Sequence, residues 1–284
     1  MARVVGGLGI SHSPSMGGEY DRVRREQGLP QPSWQPWFDG IEAVRDAVSQ
    51  LAPDHLVIVY NDHLNHFDLD TLPTLAVGVA DEFPQADEGG GPRDLPTLPG
   101  DAAWGIHLLE TLVDRDFDPT ICLALRPDHG IYSWFPYVFD RPWPVTITPI
   151  AVNMVCHPIP RASRLVALGR AIGEAIDSYP TDERVLVVGT GGMSHQINGA
   201  RFGIANEEFN AAFLRALPEH LDTLLEIPVE EMMRVGGTEA SELVLWYAMR
   251  AALPESVRAL ASFHTFPAIT GCGALVLSTE VTGP

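Results

Sequence analysis

Cysteine is scarce in this sequence: Cys122, Cys156 and Cys272 stand far apart and form no CxxC pair. That spacing excludes a disulfide framework and a cysteine-built zinc site, and fits reduced, mostly buried thiols in a cytoplasmic protein. Basic residues are also short: 18 face 37 acidic ones, a formal charge of −19. Such a chain repels nucleic-acid phosphates and anionic membrane surfaces, so neither is expected as a partner. An anionic substrate would need local positive charge at its site, such as a metal. No stretch approaches the run of about 18 apolar residues that a membrane-spanning helix needs. The opening MARVVGGLGI passes directly into a strand-like run without a cleavable leader pattern. Internal repeats, low-complexity tracts and a clear linker are missing as well.

What is present is an ordinary globular composition, 45% hydrophobic and 19% charged over 284 residues, enough for a sizeable core. Residues 2–10 read as a first strand, and 15–36, rich in Gly, Pro and charge, as an irregular excursion that Trp34 and Trp37 could anchor. Apolar residues at helical spacing mark a helix from Trp37 to Leu51, and further helices are expected at 101–113, 160–179, 207–217 and 238–253, the last N-capped by Thr238. Strands are expected at 55–60, 74–80, 120–125, 145–154, 185–188 and 271–278. Residues 81–100 form a long acidic, Gly/Pro-rich loop of the kind that is usually functional. The aromatic segment IYSWFPYVF could wall an apolar pocket. This alternation predicts one α/β domain over 1–284, with a central, mostly parallel sheet flanked by helices and a site at the strand carboxyl ends.

The organising stretch is RVLVVGTGGMSHQ, residues 184–196. A buried-strand run breaks into glycines, which let the backbone approach a small molecule, and then presents His195. Three other histidines, His12, His63 and His129, also follow predicted strands within a few residues. If those strands run parallel, all four converge on one sheet edge. His55, His66, His107, His157, His220 and His264 lack this context and read as surface or packing residues, with His264 the best placed of them to touch substrate. Two imidazoles and a carboxylate on one face of a metal leave positions open for small ligands, the arrangement of non-heme Fe(II) oxygenases. The two remaining histidines would then transfer protons.

For the carboxylate, Glu239 and Glu242 lie three apart on one predicted helix and could face the same way. Glu239 could equally complement the helix dipole. Glu242 adjoins the apolar run LVLWYAM, where an unpaired carboxylate is costly, which favours it as a ligand. Asp62 and Asp128 adjoin candidate histidines and either orient those rings or cap local backbone.

At these residues the sequence resembles the class III extradiol ring-cleavage dioxygenases, the group that includes the protocatechuate 4,5-dioxygenase large subunit and gallate dioxygenase. The likeness runs in order through SHSP (11–14), VYNDH (59–63), DEGGGPRDLP (87–96), DHG (128–130), GTGGMSHQ (189–196) and GGTEASELVLWYAMRAAL (236–253). It implies that His12, His63 and Glu242 hold Fe(II), that His195 is the acid/base residue and that His129 hydrogen-bonds substrate or oxygen. The implied reaction is O₂-dependent opening of the ring of a catecholic acid of the protocatechuate, gallate or 3-O-methylgallate type. Ser13 and Thr270 match positions that look like substrate contacts in gallate dioxygenases. Ile269 stands where the protocatechuate enzyme has a serine near the substrate carboxylate. Relatives complete the pocket with a C-terminal extension or a small lid subunit, so the resemblance implies a homo-oligomer neighbour, a small partner or an open pocket for a larger substrate here. Two other classes compete: a zinc hydrolase built on the same cluster, and a non-catalytic binding protein.

Overall fold

The computed structural model describes residues 1–280; the last four residues of the expected 1–284 domain lie outside the described ones. Among the described residues, eight strands form one mixed sheet in the order β6-β3-β7-β2-β8-β1-β10-β9. These are β1 (Arg3–Ile10), β2 (His55–Tyr60), β3 (Leu75–Gly78), β6 (Thr120–Cys122), β7 (Thr146–Val152), β8 (Arg184–Thr190), β9 (Arg258–Thr265) and β10 (Cys272–Ser278). The four central strands β7, β2, β8 and β1 are mutually parallel; β10 and β3 flank them antiparallel. The strands β4 (Glu82–Phe83) and β5 (Leu98–Pro99) pair at the base of the acidic loop.

Alternation along the strands sorts the core into two faces. Val57 and Val59 of β2, with Val185 and Val187 of β8, join a cluster with α3 (Ala102–Asp114), α6 (Ala162–Ser178) and α10 (Val244–Ala251). Leu56, Ile58, Leu186 and Val188 point the other way, into a cluster with α2 (Gln35–Leu51) and the short helices α4 (His129–Tyr132) and α5 (Phe135–Val138). The IYSWFPYVF segment fills this second core, with Tyr132, Trp134 and Phe135 almost fully buried. Trp34 and Trp37 are buried there too.

Several expectations need correcting. Residues Pro14–Glu26 form a helix, α1, not an irregular excursion. Ser13 caps it and Pro14 occupies its first turn, while Arg22 bonds Glu19 and Glu26 along its surface. The helix expected at 238–253 is a 3-10 turn over Thr238–Leu243 followed by α10, and the capping position belongs to Gly237, at φ 95°. Strand β9 was not anticipated from the sequence. Of the cysteines, Cys272 alone is buried; Cys122 is half-buried and Cys156 exposed. No helix of the described residues is long and apolar enough to cross a membrane.

Candidate metal centre

Register brings three of the four histidines together. In β8 Thr190 lies opposite Ile10 of β1, and Gly189 opposite Val59 of β2. The segments leaving these three adjacent parallel strands therefore emerge at one edge, carrying His12, His63 and His195. His129 arrives differently. Strand β6 ends at Cys122 and runs opposite to the central strands, because β3, to which it is parallel, is antiparallel to β7. The chain turns back through 123–128, and Asp128 then caps α4 with a bond from Gly130 N–H, 2.8 Å.

Glu242 reaches the same place because the 3-10 turn lies against the end of β8. A Cβ at Gly191 would stand 2.6 Å from the Glu242 carbonyl oxygen and 2.8 Å from its Cβ. The glycine thus makes room for a protein segment, not for a ligand as the sequence suggested. The next residue completes the contact: Gly192 N–H donates to Glu242 Oε2 at 2.9 Å, and Asn61 Nδ2 donates to Oε1 at 3.1 Å. Asn61 is oriented in turn by accepting the Met154 N–H on its Oδ1.

The four imidazoles share one tautomer. The Thr190 hydroxyl donates to the Gly130 carbonyl, so it accepts from His12 Nδ1–H. His63 Nδ1–H donates to Asp128 Oδ2 at 2.9 Å. His129 Nδ1–H donates to Glu88 Oε2 at 2.6 Å, and His195 Nδ1–H to the Met193 carbonyl at 3.0 Å. In its neutral form each ring thereby keeps Nε2 as the free nitrogen. The Nε2 atoms of His12 and His63 lie 3.2 Å apart, and Glu242 oxygens stand 3.3 Å and 3.4 Å from them. Ligands bonded at about 2.1 Å to one ion are separated by about 3.0 Å at a right angle and 3.4 Å at the tetrahedral angle. The separations in this His12–His63–Glu242 triangle, in which the carboxylate turns Oε2 to His12 and Oε1 to His63, are therefore those of neighbouring ligands on one ion, and the outward nitrogens already carry the hydrogen bonds that orient metal-bound histidines.

His12, His63 and His129 also form a three-imidazole group with one nitrogen each within 4.8 Å of the others. It is looser than the triangle with Glu242. His129 stacks on His63, with centroids 4.0 Å apart and planes at 28°.

The electrostatics call for positive charge. Burial pulls the His63 imidazole down, but Asp128 and Glu242 outweigh it and raise it to about 10. Burial raises the Glu242 carboxyl, and His12 and His63 together drive it well below its ordinary range. His12, fully buried, is lowered by desolvation against the pull of Glu242. Two imidazoles and a carboxylate held this way bind a cation or share a proton.

The other expected residues are placed as follows. Asp128 does both things open to it, since it caps α4 and also accepts from His63 backbone N–H and Asn65 Nδ2, each at 2.9 Å. Asp62 turns to loop backbone, accepting from His66 and Phe67 N–H. Glu239 is half-buried and accepts from Thr238 Oγ1 at 2.7 Å. Ser13 is spent on the α1 cap, accepting from Met16 N–H at 3.2 Å. Thr270 is buried, beside Gly271, whose N–H donates to the Ser194 carbonyl. Ile269 is 40% exposed and lies by Gly203. The His195 ring covers Gly192. Among the packing histidines, His55 is fully buried, bonded to Thr146 and Thr148 and stacked on Trp104.

Sequence reasoning did not single out Asn61, Thr190, Glu88 or the Gly192 N–H. All four lie within motifs already noted, but only the hydrogen bonds reveal what they do.

The chain is similar to known proteins over most of its length. A family model described as the catalytic LigB subunit of aromatic ring-opening dioxygenase matches residues 6–276. Gallate dioxygenase from Pseudomonas putida is 39% identical over 197 residues, covering 69% of this chain and 58% of that protein. A 2,3-dihydroxyphenylpropionate/2,3-dihydroxicinnamic acid 1,2-dioxygenase from a Rhodococcus species is 32% identical over 205 residues, covering 70% and 59%. The match thus spans under two thirds of these relatives' length. The crystal structure of the uncharacterized protein JW3007 from Escherichia coli K12 superposes with a TM-score of 0.54 at 13% identity, over 96% of this chain and 99% of that one, a likeness of fold. With the family model covering nearly every element described above, the chain belongs to the family of catalytic LigB subunits of aromatic ring-opening dioxygenases.

Proposed function

We propose that this chain is an Fe(II)-dependent extradiol dioxygenase that opens the ring of a catecholic aromatic acid, of the gallate, protocatechuate or 3-O-methylgallate class, with O₂. One observation carries the reading. His12 Nε2 and His63 Nε2 lie 3.2 Å apart, Glu242 turns Oε2 to the first at 3.3 Å and Oε1 to the second at 3.4 Å, and each neutral imidazole keeps its proton on Nδ1. Two neutral imidazoles and one carboxylate on one face are the donor set of non-heme Fe(II) oxygenases. When bound, the iron supplies the Lewis acidity and one-electron chemistry that let a diol and O₂ react.

The chain's own residues do the rest. Asp128 and Thr190 hold the two ligand rings, while Asn61 and Gly192 N–H hold the carboxylate. His195, with Nδ1–H bonded to Met193, offers Nε2 as the acceptor for a diol proton and can return it to product. His129 offers its Nε2 to a substrate or oxygen atom. Ser13, Thr270 and Ile269 line the entrance in this reading, and Glu239 and Asp62 support the loops that carry the ligands. A homo-oligomer, with or without a small lid subunit, completes the pocket in the cytoplasm.

The test is reconstitution with Fe(II) under anaerobic conditions, followed by oxygen-electrode traces with gallate, protocatechuate, 3-O-methylgallate and catechol. Oxygen uptake with a yellow ring-opened product is expected for at least one. Absence of uptake together with hydrolytic activity under Zn(II) would replace the oxygenase by a zinc hydrolase. Sedimentation of the same sample gives the assembly state.

A further inference from the structure

The acidic loop between β4 and β5 is built to deliver one carboxylate. Gly89 and Gly91 adopt φ 93° and 79°, in the left-handed region where a side chain is strained. The Asp87 carboxylate accepts from the N–H of both, at 2.9 Å and 2.8 Å, and so closes the turn. Past the turn, Arg93 bolts the loop to two helices. Its guanidinium grips both oxygens of Asp21 and the Gly17 carbonyl on α1, and it also donates to the Tyr132 carbonyl on α4. Its backbone N–H donates to Gln85 Oε1 at 3.0 Å. Between these fixings stands Glu88. Its Oε1 accepts the His129 backbone N–H at 2.8 Å and its Oε2 accepts Nδ1–H at 2.6 Å.

A two-point grip of this kind holds backbone and ring together. It sets which nitrogen carries the proton and the plane in which the ring lies against His63. We infer that Glu88 is the positioning residue of His129: the loop 85–93 exists to hold that imidazole as the Nδ1–H tautomer with Nε2 turned to the reacting molecules. Glu88 itself touches no substrate in this scheme. The inference rests on the dioxygenase reading for the identity of those molecules, but the tautomer can be measured without it.

The experiment uses ¹⁵N-labelled full-length protein without metal and long-range imidazole ¹H–¹⁵N correlation. Wild type is expected to show His129 as one Nδ1–H species. Glu88→Ala is expected to populate the Nε2–H form as well. Glu88→Gln keeps one accepting oxygen and nearly the same shape; it is expected to shift the Nδ1 proton upfield and serves where the alanine variant does not fold. Gly90→Ala, where a methyl meets nothing within 4 Å, is the loop control and is expected to leave the spectrum unchanged. In the iron-loaded enzyme Glu88→Ala is expected to keep its iron and its KM while kcat falls about tenfold to a hundredfold, with Glu88→Gln between. A His129 pattern in both Glu88 variants identical to wild type overturns the inference. Altered tautomers in a protein that consumes no oxygen with any aromatic diol would uphold the positioning and overturn the dioxygenase reading.

Discussion

Thr190 and His12 share a hydrogen bond whose direction is decided by a third group. The Thr190 hydroxyl has one proton, and it goes to the Gly130 carbonyl at 2.7 Å. Its lone pair is therefore what His12 Nδ1–H finds, and Nε2 is left bare toward His63 and Glu242. Replacing Thr190 by valine keeps the β-branched shape that suits the strand end and removes the acceptor. His12 is then free to protonate Nε2 instead. We expect Thr190→Val to weaken Fe(II) affinity about tenfold to a hundredfold, read by metal titration, with Thr190→Ser near wild type. Equal affinity in the valine variant would show that Thr190 does not set the tautomer.

Space, and not hydrogen bonding, limits the residue beside it. A methyl on Gly191 would collide with the backbone and Cβ of Glu242. Neither can move without shifting the whole 3-10 turn, which is buried from Ala240 to Leu243. Gly191→Ala is expected to lose metal binding while the protein remains folded. Gly18→Ala makes the contrast: it sits on the exposed face of α1 with nothing within 4 Å of the added methyl. In that variant the helix gains about 0.5–1 kcal/mol from the alanine preference, measurable by urea unfolding, with metal binding unchanged.

His55 predicts how stability follows pH. It is fully buried on β2, and desolvation lowers its imidazole from 6.5 to about 3. The group is neutral in folded and unfolded chains at pH 7. Below 6.5 the unfolded chain takes a proton that the folded one refuses, so stability falls as pH drops from 6.5 toward 3. One unit is worth about 1.4 kcal/mol, which puts the loss at about 2 kcal/mol by pH 5. His55→Gln keeps a hydrogen-bonding side chain and does not titrate. It is expected to be less stable at pH 7 and to lose about 2 kcal/mol less than wild type between pH 7 and pH 5 in urea unfolding. Parallel losses in the two proteins would remove His55 as the cause.

These residues also show what a sequence can and cannot display. His12, His63 and His195 were legible because each follows a buried, β-branched run, and β1, β2 and β8 prove to be parallel neighbours. The same reasoning placed His129 at a parallel strand end, yet β6 runs the other way; direction within a sheet leaves no periodic trace. Helix α1 was hidden by its glycines and charges, since amphipathic spacing is weak where only Met16, Gly17 and Glu19 are buried. Strand β9 was hidden because it is half-exposed along most of its length. Thr190 and Glu88 stood inside noted motifs, but an acceptor is recognised by where its proton partner lies, which is known only after folding.

The division of labour among the histidines gives the last prediction. His12 Nε2 belongs to the triangle with His63 and Glu242, whereas His195 bonds the Met193 carbonyl through Nδ1 and lies over Gly192. Removing His12 leaves His63 and Glu242 as the remaining two ligands; removing His195 leaves all three in place. His12→Ala is expected to emerge from Fe(II) reconstitution and desalting with little bound iron and no oxygen uptake. His195→Ala is expected to retain iron at the wild-type ratio while turnover falls about a hundredfold or more, the usual scale for a lost proton-transfer group. Iron analysis and oxygen uptake on the same samples decide between the roles. Equal iron in the two variants would mean that His12 is no ligand, and full turnover in His195→Ala would move the proton-transfer role to His129.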